Sequence, residues 1–166
     1  MSDSDLSSQF AALSDVAKRL NAKSDSVNQL IEQYENELRG LNVGLEAWVL
    51  LRTEPGSEDV PAPSPRGTRQ QARATTVTIE ISLGHARGDD GWGLYVKRIA
   101  YKPQNPILFP PASGEVVSVS KLIRLADASR ATRVEAIAAF PKLLEALKTA
   151  AESAVQTIEN AKKFVR

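Results

Sequence analysis

Arg130 and Arg133 stand one helical turn apart in the stretch "ADASRATRVEAIAAF", where helical apolar spacing begins. A helix N-terminus already favours an anion through its exposed amides and dipole, so cations placed there are mildly unfavourable for the helix itself. An anionic ligand would relieve that mismatch, and the planar guanidinium fork suits phosphate. Lys97, Arg98, Lys102, Lys121 and Arg124 lie in the neighbouring basic segment, and Trp92, Tyr95 and Tyr101 offer rings on which a base could stack. The candidate ligand-binding set is therefore Arg130, Arg133, Trp92, Tyr95, Lys97 and Arg124. A structural alternative stands beside it, in which both arginines pair with Glu32, Glu35 or Glu37 of the first helix.

Catalytic chemistry finds little support. His85 is the single histidine, so a two-histidine metal site cannot be built, and a lone histidine beside a strand is more often structural than catalytic. With no cysteine there are no disulfides, thiolate zinc sites or thiol nucleophiles. Asp89 and Asp90 in "GDDGWG" lack the spaced ligands of a calcium loop, and turn formation accounts for them. "GHARGDDGWG" lacks both the Gly-Lys-Ser/Thr ending of a P-loop and a dinucleotide fingerprint. The expectation is a protein that is not an enzyme, with no cofactor and no metal.

The formal net charge of +1 conceals an uneven chain. Residues 1–59 carry 5 basic and 11 acidic side chains, residues 60–133 carry 11 basic and 5 acidic, and residues 134–166 carry 5 basic and 4 acidic. Such asymmetry suits an anionic partner for the middle segment, or neutralisation between segments within an oligomer. Nucleic acid is not the expected partner: the whole chain is nearly neutral and has no helix-turn-helix, RNP-like or zinc-finger pattern. No segment has the run of apolar residues that a membrane span needs, and none reads as a leader, so no membrane role and a cytoplasmic location are expected.

These residues need a scaffold, and the spacing supplies one. Phe10, Leu13, Ala17, Leu20, Ser24, Val27, Ile31, Tyr34, Leu38 and Leu41 alternate at threes and fours, the seam of a coiled-coil helix over residues 1–40 that Gly40 would stop. Asn21 and Asn28 flank that seam, where amides could fix register across a partner helix or simply face solvent. The period then becomes two: Val43, Leu45, Ala47, Val49 and Leu51 form one face of a strand over 42–53. Residues 54–74, rich in proline, read as a loop whose basic end holds Arg66, Arg69 and Arg73.

Sheet pattern returns over 75–120. Val77, Ile79, Ile81 and Leu83 alternate on one strand, with Trp92, Leu94 and Val96 alternating on its hairpin partner across the turn "RGDDG". "KPQNPILFPPASG" breaks the pattern and "EVVSVSKLI" adds a short strand, giving an antiparallel sheet of three or four strands. Residues 127–166 read as a helical pair divided at Pro141, with a seam through Ile137, Phe140, Leu144, Leu147, Ala151, Ala154, Ile158, Ala161 and Val165.

Through "RLNAKSDSVNQLIEQYENELRGLNVGLEAWV", "LGHARGDDGWGLYVKR" and "ASRATRVEAIAAFPKLLEALKTAAESA", the chain resembles a group of small bacterial proteins with a helix, a hairpin sheet and a closing helical pair. That resemblance implies a layout and no activity. In layout and helical arginines alone it is also similar to the phage Thoeris anti-defence sponges, oligomers that sequester cyclic ADP-ribose-type signals without degrading them. This second resemblance implies sequestration and carries over no binding residue.

The sequence thus predicts one α+β domain over residues 1–166. It would assemble as a homo-oligomer through its terminal helices and hold an anionic, nucleotide-derived small molecule near Arg130 and Arg133. The alternative is a structural or protein-interaction module acting through the coiled-coil helices.

Overall fold

A computed structural model describes residues 3–58, 75–102 and 115–163. The apolar three-and-four spacing of the first segment forms one helix, α1, Asp3–Leu41. It does not stop at Gly40, which lies inside it. The terminating residue is Asn42, whose φ of 48° lies in the left-handed region and whose N–H bonds the Arg39 carbonyl at 3.2 Å. Asparagine is the residue after glycine best suited to that position.

The sheet is antiparallel throughout. Strands β1 (Ala47–Glu58), β2 (Thr75–Gly88), β3 (Gly91–Lys102) and β4 (Glu115–Val119) lie side by side in chain order, and a two-residue β5 (Ile123–Arg124) pairs with the same edge of β3 as β4. Strand β1 starts later than the alternation suggested and runs past residue 53, so Glu54–Glu58 belong to the sheet, facing Ile79–Thr75. Pro55 is tolerated because β1 is the edge strand, where a missing N–H need not break a ladder. Gly56 leaves room there for Ile79, whose side chain would have to shift for a Cβ at that position. A bulge between Leu50 and Arg52 turns Arg52 toward the helices. The hairpin joining β2 to β3 turns at Asp89 and Asp90, with Gly91 at φ 94° completing it. Arg66, Arg69, Arg73, most of "KPQNPILFPPASG" and Val165 lie outside the described residues.

Where two closing helices were expected there is one. Helix α2, Arg130–Lys163, runs through Pro141. A proline inside a helix removes one N–H and crowds the preceding turn, at a cost of about 3 kcal/mol. Here Ala136, Phe140, Leu143 and Leu147, on both sides of the proline, are buried against the same core, which holds the helix in one piece. The expected α2 seam is also offset: Leu143 is fully buried, whereas Leu144 is 43% exposed.

One hydrophobic cluster joins these layers. Ile31 and Leu38 of α1, Ile81, Leu83, Leu94 and Val96 of the sheet, and Phe140, Leu143 and Leu147 of α2 meet with Leu125 in its 3₁₀ turn. The two helices pair in the same direction. Arg130 meets Asn21, Arg133 meets Asn28, and the Tyr34 ring stacks on Phe140 at 4.0 Å between centroids.

Candidate functional site

The six candidate residues fall in three places. Arg130 and Arg133 sit where α2 begins beside the middle of α1. Ser129 caps this end, accepting the Thr132 N–H at 3.2 Å. Arg130 donates to Asn21 Oδ1 at 3.1 Å, and Arg133 donates to Asn28 Oδ1 at 2.5 Å and to the Ala126 carbonyl at 3.4 Å. The partners are thus the amides Asn21 and Asn28, which set the register of α1 on α2 within one chain, and not Glu32, Glu35 or Glu37. An amide satisfies a donor but leaves its charge uncompensated, and the Arg133 Nε is buried with no hydrogen-bond partner among the described residues.

Arg124 occupies a second place. It reaches Glu35 Oε1 at 3.5 Å and Asp90 Oδ2 at 3.4 Å. The same Glu35 oxygen accepts the Leu94 N–H at 3.1 Å, so this inward carboxylate joins α1 to the open edge of β3. Gly93 makes room for the arrangement, because a Cβ there would lie 3.0 Å from the guanidinium. Arg124 also lies over the Tyr95 ring, 5.4 Å from its centroid. Tyr95 itself is 2% exposed and donates its hydroxyl hydrogen to the Gly91 carbonyl, so its ring is a packing element with little face left for a base.

Lys97 lies elsewhere, its ammonium 3.8 Å from the centroid of the Trp48 ring. Burial pulls its pKa below the ordinary lysine range, while the Glu46 carboxylate acts in the opposite sense. Lys121, from the same basic segment, pairs with Asp89 at 2.7 Å, and both side chains are largely exposed. Trp92 lines a cleft of about 390 Å³ with Glu35, Arg39, His85 and Asp90, and stacks on His85 at 5.2 Å between centroids. The His85 ring is buried and donates Nδ1–H to the Leu45 carbonyl at 2.9 Å, which makes it a tie between β2 and the segment entering β1. Among the described residues, no group of three or more His, Asp or Glu side chains gathers as metal ligands.

A feature that the candidate set did not include lies further up α1. Its apolar seam is buried only from Ser24 to Leu38. Above that, Leu6, Phe10, Leu13, Val16 and Leu20 continue the stripe in the open, with Phe10 68% and Leu13 62% exposed. At the other end of the helical layer α2 runs on beyond Leu147, with Val155 and Ile158 exposed. The signal for the arm was present in the seam, but periodicity alone does not say where its cover ends. No helix among the described residues is long and apolar enough to cross a membrane.

Comparison of the chain with protein-family models, with curated proteins and with solved structures gave no match.

Proposed function

We propose that this protein is a non-catalytic interaction module, with the projecting half of α1 as its working surface. One observation carries this reading: the apolar stripe of α1 continues unbroken through Leu20, Val16, Leu13, Phe10 and Leu6 after its intramolecular cover has ended. Single exposed apolar residues are ordinary, but a stripe of them along one helix face is the form a partner helix recognises. The folded body, tied by Glu35, Arg52 and the Tyr34–Phe140 stack, serves as the rigid base from which the arm projects.

The test compares the wild-type chain with Leu13→Asp in association measurements under native conditions. Association that is lost in the variant, while thermal unfolding of the body is unchanged, supports the reading. Equal association by both proteins contradicts it.

A second reading is favoured by the arginine pair: a phosphate-bearing small molecule held at the α2 N-terminus by Arg130 and Arg133, whose hydrogen-bond partners are neutral. It predicts a rise in unfolding temperature with one class of mono-, di- or cyclic nucleotide, since a ligand at a hundred times its Kd stabilises by about 2.7 kcal/mol. The rise should vanish in Arg130→Gln/Arg133→Gln. A flat nucleotide panel with working controls removes this second reading and leaves the first standing.

A further inference from the structure

The exposed stripe on α1 has an order of its own. Leu6, Phe10, Leu13, Val16 and Leu20 are separated by steps of four, three, three and four, so the pattern reads the same from either end, with Leu13 at its centre. A stripe with that symmetry matches itself when a second helix is laid against it in the opposite direction. Leu6 then faces Leu20, Phe10 faces Val16, and Leu13 faces its own copy across a two-fold axis. Such a contact is isologous and closes on itself after two chains.

Charge selects the direction. The start of the arm holds Asp3 and Asp5, whereas toward its far end Lys18, Arg19 and Lys23 outnumber Asp15 and Asp25, with Lys18 paired to Asp15 at 3.7 Å. Parallel pairing would set acid beside acid and base beside base. Antiparallel pairing sets the acidic start of one arm against the basic end of the other and opposes the two helix dipoles. The body limits the contact: from Ser24 onward the seam is already covered by the protein's own core.

We infer that the occupant of the arm is a second copy of this chain, bound antiparallel about Leu13 to form a two-fold dimer. This rests on the reading of the arm as an interaction surface and goes further in naming both partner and direction. Two bodies would then stand at opposite ends of a short two-helix bridge, with the α2 extensions outside it.

The chain has no cysteine, which makes a clean test possible. Sedimentation equilibrium of the wild type should give a mass near twice 18.0 kDa, and Leu13→Asp should give a single chain with unchanged near-ultraviolet circular dichroism. Leu6→Cys and Leu20→Cys are then prepared separately and mixed under mild oxidation. Antiparallel pairing gives the mixed disulfide between the two variants as the main product, several-fold over either homodimer. Homodimeric disulfides in excess overturn the antiparallel arrangement. A wild-type chain that stays monomeric up to its solubility limit overturns the second copy as occupant, while the broader reading then stands or falls on whether Leu13→Asp abolishes binding to a different protein.

Discussion

The two halves of α1 carry the same apolar period and live in different surroundings. From Ser24 to Leu38 the stripe is part of the core, with Ile31 2% and Leu38 3% exposed, whereas from Leu6 to Leu20 it faces outward. The difference comes from where α2 begins. Arg130 lies beside Asn21, so the first turns of α1 extend past the end of the helix that covers the rest. One repeat thus runs through two surroundings, and the boundary between them coincides with a contact more than a hundred residues away in sequence.

Truncating an aliphatic side chain in each half should separate the two most strongly. Ile31→Ala or Leu38→Ala should lower unfolding stability by about 2–5 kcal/mol in urea titrations, the range for truncating a buried aliphatic chain. Leu13→Ala, measured at a concentration where the chain is monomeric, should stay within about 0.5 kcal/mol of wild type. Comparable losses at both positions would mean that the arm is packed within the monomer.

Next in size is Glu35→Ala. It removes the acceptor for the Leu94 N–H and the partner of Arg124 at a site where the carboxylate side chain is only 13% exposed. A cost of about 1–3 kcal/mol is expected, read in the same titration. Smaller again is the tie between Asn28 and Arg133, which fixes how far α1 slides along α2. A double-mutant cycle with Asn28→Ala and Arg133→Ala should give a coupling of about 0.5–1.5 kcal/mol. A coupling near zero would mean that the amide does not set the register.

The smallest effect belongs to the Asp89–Lys121 pair at the hairpin tip. Hydrogen bonding to Lys121 holds the Asp89 carboxyl below its ordinary value. A carboxylate lowered on folding stabilises above its unfolded pKa and loses that contribution as pH falls through the folded one. Both side chains are more than three-quarters exposed, so solvent screens the pair, and Lys121→Ala should leave the acid unfolding limb unchanged. A clear shift of that limb would mark the hairpin tip as more than a solvated turn.

Much of this architecture is written in short-range pattern. The change of period after Leu41 separates helix from sheet, the "RGDDG" turn places the hairpin, and the α+β class follows from both. The errors have specific causes. Pro55 argued for a loop because proline cannot donate to a ladder, but an edge strand leaves that donor position facing outward. Pro141 argued for two helices because the local cost of proline is real, yet burial of Phe140 and Leu143 on its flanks outweighs it. Leu143 and Leu144 are equivalent in composition, and only tertiary packing shows which faces the core.

The candidate ligand residues were harder to read. A basic segment in sequence becomes separate neighbourhoods once a strand and a helix intervene. Arg124 meets Glu35 and Asp90, Lys121 meets Asp89, Lys97 lies over Trp48, and Tyr95 turns inward. Asn21 and Asn28 flank the α1 seam, where solvated amides are the simpler expectation, yet their oxygens accept from Arg130 and Arg133 of the chain's own α2.

Hydrogen exchange along α1 at low and high protein concentration tests the division of this helix most directly. Exchange should be slow from Ser24 to Leu38 at both concentrations, and from Leu6 to Leu20 fast in dilute protein and slow when chains associate. Slow exchange over Leu6 to Leu20 in dilute, monomeric protein would contradict that division, because the upper stripe would then be covered by the chain's own fold.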